Sequence, residues 1–221
     1  MLEAQKKSAD AIHSCFEDVF RTQTSKPGFC LLDLGPNVSS FRLREVMVMM
    51  KKNLSSLTKA HWGKSLRYEW LGRFDQQVDT KYHRDNAPNQ SFLMLGYEPT
   101  DIESKLYIAD YVQFSLDRGI APAHFFERYH PMYTDLEDLL KPYVSQVKPF
   151  DKESFKIILI NNSSGQAPCD TLGVLHRAQM VNPDLQKSRV VNSMMISMGS
   201  ESRRLDKKAE KNFLITTDVS S

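Results

Sequence analysis

His83 and Asp85 stand two apart in Val78-Asp79-Thr80-Lys81-Tyr82-His83-Arg84-Asp85, so in an extended strand the imidazole and the carboxylate share a face. Two imidazoles and one carboxylate form the facial triad that holds non-haem Fe(II) and leaves the opposite positions open to other ligands. The second histidine has to come from elsewhere in the chain. His176, in Gly173-Val174-Leu175-His176, lies in an apolar, strand-like run and is the candidate. His124 and His130 are the alternatives, both in a proline-broken helical stretch with no apolar strand bearing an arginine behind it. His83-Arg84-Asp85 also spells the start of a protein-kinase catalytic loop, which needs Asn where this chain has Gln90. With no glycine-rich loop and no Asp-Phe-Gly, the kinase reading fails.

Arg189 follows His176 at the head of a second apolar run, Val190 to Met198. In that order, His83-x-Asp85, His176 and Arg189 resemble the Fe(II)- and 2-oxoglutarate-dependent dioxygenases, such as the phytanoyl-CoA-hydroxylase-like and related small-molecule hydroxylases. The resemblance covers about residues 65–198. It implies a mainly β fold with flanking helices, a double-stranded β-helix (a jelly-roll, cupin-like barrel). It implies further that His83, Asp85 and His176 ligate Fe(II), and that Arg189 pairs with the far carboxylate of 2-oxoglutarate. A guanidinium suits that task, being a fixed and always charged fork matched to a carboxylate. Arg177 is the rival, but strand alternation turns it away from His176.

The implied reaction consumes 2-oxoglutarate and O2, releases succinate and CO2, and most often hydroxylates a C–H bond. Asp85 favours oxygenation, since members that halogenate carry Ala or Gly there. One departure stands out: many members have Arg-x-Ser, whereas Arg189-Val190-Val191 offers no hydroxyl, so another hydroxyl or amide has to assist.

What must position these residues is one domain, 1–221. Apolar residues at 41% and charged residues at 25% describe an ordinary globular chain. Lysines and arginines number 29 against 27 acids, so charge gives no argument for a nucleic-acid or membrane partner, and a small-molecule substrate is the expectation. No stretch has the length of a membrane span, and the N-terminus lacks the apolar core of a signal peptide. Cys15, Cys30 and Cys169 are scattered and odd in number, which reads as reduced thiols in a cytoplasmic protein.

Periodicity predicts a helix over 8–22, a strand at Phe29–Leu34, and a helix capped by Ser39 or Ser40 with Phe41, Val46, Met49 and Met50 among its apolar positions. These N-terminal elements, 1–60, pack on a barrel core, 65–198, that carries a helical insertion at about 111–147; residues 199–221 form a C-terminal segment. A long strand over 65–82 places Arg73 and Gln77 on an inner face with His83, unless a bulge at Gly72 reverses the parity. Arg73 and Gln77 are therefore candidate substrate contacts, with Trp70 at the rim. The runs on either side of Asn182-Pro183 read as a hairpin that sets Arg189 near His176, and Phe213–Thr216 reads as a closing strand. Two other classes compete. One is a cupin-like metalloenzyme that does not use 2-oxoglutarate; the other is a non-catalytic β-barrel binding a partner through Tyr107, Tyr111, Phe114, Phe125 and Phe126.

Overall fold

The computed structural model describes residues 2–129, 135–165, 170–199 and 206–220. Its strands are β1 (Phe29–Gly35), β2 (Ser65–Asp75), β3 (Ser91–Tyr97), β4 (Ser104–Ala109), β5 (Val144–Gln146), β6 (Phe155–Asn161), β7 (Leu175–Met180) and β8 (Val190–Gly199). Its longer helices are α1 (Leu2–Val19), α2 (Ser40–Trp62) and α6 (Asp206–Ile215), with α3 (Tyr111–Asp117), α4 (Phe125–Arg128) and α5 (Asp135–Leu140) as short pieces between β4 and β5. The strands form two antiparallel sheets, β1-β6-β3-β8-β2 and β5-β4-β7, rather than one closed barrel. Residues 80–83 extend the smaller sheet beyond β7, through Thr80 N–H to Ala178 O and the His83–His176 bridge. The pairing is nested along the chain: β2 with β8, segment 80–83 with β7, β3 with β6, and β4 with β5.

The central strands β3 and β6 are buried on both faces, which is why they read as unbroken apolar runs. One face of the large sheet carries Phe92, Met94, Ile157 and Leu159 and packs on Leu43, Met47, Met50 and Leu54 of α2. These positions form the inner stripe of a 3.6-residue repeat, so Phe41 and Met49, expected inside, face outward at 45% and 40% exposure. Ser39 caps α2 by accepting the Arg42 N–H, and Gly63 ends it in the left-handed region at φ 66°. Gly96 lets α2 approach β3 closely: a Cβ there would lie 2.6 Å from Met47 Sδ, and that side chain would have to move. The opposite face, with Leu93, Leu95, Ile158, Ile160 and Met195, looks toward the small sheet. Outside the small sheet, Leu175 packs with Tyr111, Phe114 and Phe125 of the helical stretch.

Several expectations are corrected here. The register shift in β2 falls between Tyr68 and Trp70, not at Gly72. Leu66 and Tyr68 face α2, but past the bulge Trp70 turns to the other face and Arg73 goes back toward α2, against the expected parity. β7 and β8 do not form a hairpin: they belong to different sheets, and the chain between them arches from one to the other. Phe213 and Leu214 lie in α6, not in a strand; an apolar run this short does not distinguish the two, and Phe213 packs into the α2 cluster. Arg44 and Arg73 donate to the Leu214 and Thr216 carbonyls, satisfying the end of that helix.

Cys15 and Cys30 are joined as a disulfide between α1 and β1, so the argument for a reducing compartment from unpaired thiols lapses; Cys169 lies outside the described residues. Tyr111, Phe114 and Phe125 are wholly buried, which makes them core and not a partner-binding surface. No helix among the described residues is long and apolar enough to cross a membrane.

Candidate metal centre

Two backbone hydrogen bonds bring the histidines together. His83 N–H donates to His176 O at 3.1 Å, and His176 N–H donates to His83 O at 2.9 Å. This is a hydrogen-bonded antiparallel pair, in which opposite residues project to one side. The imidazole centroids are 4.2 Å apart and inclined at 50°. Alternation along β7 turns the neighbours away: Leu175 joins the outer core, and Arg177 pairs with Glu137 at 3.1 Å. Arg177 is thereby excluded from the site, as expected.

Asp85 arrives differently. The chain leaves the sheet after His83, and the Asp85 carboxylate returns to both rings, with Oδ1 3.5 Å from His83 Nε2 and Oδ2 4.0 Å from His176 Nε2. One donor atom from each of His83, Asp85 and His176 lies within 4.8 Å of the other two. His83 Nδ1 is 2.8 Å from Lys81 O, so a proton belongs on Nδ1, and Nε2 is the atom turned toward the carboxylate that would bind a metal. His176 is buried, and its Nδ1 meets no partner among the described residues.

The electrostatics suit a cation. Burial, with the His83 charge adding to it, pushes His176 down to about 4 although Asp85 pulls the other way, so this ring is neutral near pH 7. Burial pushes the Asp85 carboxyl up, but the His83 hydrogen bond and the charges of His176, His83 and Arg84 outweigh it and hold it below the usual carboxylate range. For His83, burial is likewise outweighed by its hydrogen bonds to Asp85 and Lys81 O, and its pKa rises. Metal–ligand bonds of about 2.1 Å on an octahedral face put neighbouring donors about 3 Å apart. The carboxylate oxygens stand 3.5 and 4.0 Å from the two imidazole nitrogens, so the residue types suit a divalent ion and the side chains would have to draw together around it.

The triad lies on the wall of a cavity of about 350 Å³ between the sheets. Trp70, Phe74, Leu93, Leu95, Leu106 and Val191 make it mainly apolar. Trp70, expected at the rim, is in the lining, with its Nε1–H donating to Ser193 Oγ. Arg73 is elsewhere, bonded to Asn192 and Glu98 beneath α2, because of the β2 bulge. Gln77 is outside the lining too, its amide held by Lys187 O and the Asp184 N–H.

Arg189 is buried but lines a neighbouring cavity of about 300 Å³ that shares Tyr97 as a wall with the first. Its guanidinium donates to Ser104 Oγ at 2.8 and 3.1 Å and to Gln76 O at 3.1 Å, and lies 4.9 Å from the centre of the Tyr97 ring. No carboxylate among the described residues is within ion-pair distance of it. His124 pairs with Glu127 on the surface, and His130 lies outside the described residues.

Sequence reasoning missed Ser104, Tyr97 and Asn162. A hydroxyl does stand beside Arg189: Ser104 Oγ, contributed by β4. Asn162 holds the Asp85 backbone and lies in Asn161-Asn162-Ser163-Ser164, which reads as a surface turn yet is buried throughout.

Fold and site together define a two-sheet β protein with a two-histidine, one-carboxylate donor set facing an apolar cavity. No protein-family model matches the chain, and no curated protein matches it.

Proposed function

We propose that the chain is a non-haem Fe(II)- and 2-oxoglutarate-dependent oxygenase that hydroxylates a C–H bond of a small molecule. The observation that carries this reading is the convergence of His83, Asp85 and His176 on one wall of an apolar cavity. The nested pairing of β2–β8, 80–83–β7, β3–β6 and β4–β5 supports it, because a jelly roll, and the double-stranded β-helix within that class, winds its strands in that order.

His83, Asp85 and His176 would hold the iron. Arg189, with Ser104 Oγ and Tyr97 beside it, would take the far carboxylate of 2-oxoglutarate, as a buried guanidinium with no acid paired to it among the described residues favours an anion. Trp70, Leu93, Leu95 and Val191 keep the space in front of the triad dry and orient an apolar substrate. When bound, iron with 2-oxoglutarate and O2 supplies the oxidising power: one oxygen atom goes to the substrate, and 2-oxoglutarate leaves as succinate and CO2.

A cupin-like metalloenzyme that does not use 2-oxoglutarate is the second reading, favoured by the position of Arg189 outside the lining of the triad cavity. Incubation with Fe(II), 2-oxoglutarate and oxygen separates the two. The oxygenase should convert 2-oxoglutarate slowly to succinate even without substrate, and His83→Ala, Asp85→Ala and His176→Ala, though folded, should not. Iron-loaded protein that forms no succinate, with or without a screen of small molecules, would favour the second reading.

A further inference from the structure

Backbones of two of the three candidate ligands are fixed by each other, since His83 and His176 exchange both of their peptide hydrogen bonds. Asp85 has no such strand partner among the described residues. Its peptide is instead gripped by one side chain: Asn162 Oδ1 accepts the Asp85 N–H at 2.9 Å, and Asn162 Nδ2 donates to the Asp85 carbonyl at 3.1 Å. An amide group thus does for Asp85 what an antiparallel neighbour does in a sheet, giving one hydrogen bond and taking one from the same residue.

Asn162 is itself immobilised. It is wholly buried, its N–H donates to Ser91 O at 2.9 Å, and its Nδ2 donates to Ser91 Oγ at 2.9 Å. From the other side, Arg84 donates to the Asn162 carbonyl at 2.5 Å and to Ala87 O at 2.9 Å, closing the 84–87 loop onto the same residue. With the Asp85 peptide pinned, only the two side-chain torsions of the aspartate separate its carboxylate from a fixed position.

We infer that Asn162 is a positioning residue for the carboxylate ligand, setting metal affinity through the Asp85 backbone without touching the metal. This rests on the metal-centre reading above. Its neighbour Asn161 supplies the control: equally buried, it bonds to Val19 O at 2.7 Å and to the Ser163 N–H at 2.9 Å, and reaches no ligand.

The test uses Co(II) as a spectroscopic probe of the metal-free protein, with near-ultraviolet circular dichroism reporting the fold. Asn162→Ala should bind Co(II) about 10–100-fold more weakly than wild type, the cost typical of removing a ligand's support. Its Co(II) d–d spectrum should change as well. Asn161→Ala should lower the melting temperature but leave Co(II) affinity and spectrum as in wild type. Should Asn162→Ala not fold, Ser91→Ala removes the hydroxyl that anchors the amide, and a few-fold loss of affinity is expected. Folded Asn162→Ala, or in its place folded Ser91→Ala, with wild-type affinity and spectrum overturns the inference alone. Wild-type protein that takes up no Co(II) overturns the metal-centre reading and the inference with it.

Discussion

Lys156 and Arg189 are both buried cations on the wall of one cavity, 1% and 3% exposed, yet they are compensated in opposite ways. Lys156 has its own acid: Nζ is 2.9 Å from Asp151 Oδ1, and the Asp151 and Ser154 carbonyls accept from it at 2.9 and 3.1 Å. Among the described residues Arg189 has a hydroxyl, a carbonyl and an aromatic face. Withdrawing a charge from water costs several kcal/mol unless a counter-charge and hydrogen bonds offset it. Lys156 is settled within the protein and has a structural role. Arg189 keeps its hydrogen bonds but has no counter-ion among the described residues, a state that an anionic ligand would complete.

The largest expected effect follows from Arg189. Arg189→Ala should weaken 2-oxoglutarate binding by on the order of a hundredfold or more, since removing one partner of a buried charge pair costs about 3–5 kcal/mol. Metal uptake should be unchanged, and Arg189→Lys should recover only part of the affinity because an ammonium lacks the bidentate fork. Titration calorimetry reads both, with Mn(II) added to metal-free protein and 2-oxoglutarate added to Mn(II)-loaded protein. Undiminished 2-oxoglutarate affinity in Arg189→Ala would erase the contrast with Lys156.

A smaller effect, in stability and not in binding, belongs to the other cation. Asp151→Asn should destabilise the fold by about 1–2 kcal/mol and leave 2-oxoglutarate binding alone; the value is set below that of a fully buried pair because the Asp151 side chain is 45% exposed and screened. The hydrogen bond from Lys156 is the main reason that the Asp151 carboxyl is held down to about 2, with the Glu153 and Ser154 N–H groups adding to it against burial. A carboxyl whose folded pKa lies below its unfolded value stabilises the fold above the unfolded pKa and loses that contribution as pH falls through the folded one. The gap in melting temperature between wild type and Asp151→Asn should therefore be full at pH 6, and narrow from about pH 4 toward pH 2. A gap constant across that range would show that the carboxylate charge is not what stabilises Lys156.

The sequence makes the triad and the surroundings of Arg189 unequally legible. The convergence of His83, Asp85 and His176 was readable because a metal site would need particular residue types, and two of them share a short spacing. Strand character at Leu175-His176 also fixes which way Arg177 points. The supporting groups left no such mark. Ser104 and Tyr97 come to Arg189 from other strands, and Asn162 sits in a polar run whose composition is that of an exposed turn. Arg73 was misplaced for a different reason. A bulge between Tyr68 and Trp70 shifts every later side chain of β2 to the other face, and nothing in Arg67-Tyr68-Glu69-Trp70 announces it. The hairpin expected around Asn182-Pro183 failed because a turn signal tells that the chain reverses, not whether it returns in the same sheet.

The central claim is that the triad and an anion site act on one ligand, and anaerobic absorption spectroscopy tests it most directly. Metal-free protein should take up one Fe(II), and 2-oxoglutarate added afterwards should raise a weak visible charge-transfer band, which requires the keto acid to chelate the iron through two adjacent open positions. The band should be absent in folded His176→Ala and should need far more 2-oxoglutarate in Arg189→Ala. Folded, iron-loaded wild-type protein that gives no band at saturating 2-oxoglutarate would contradict the account.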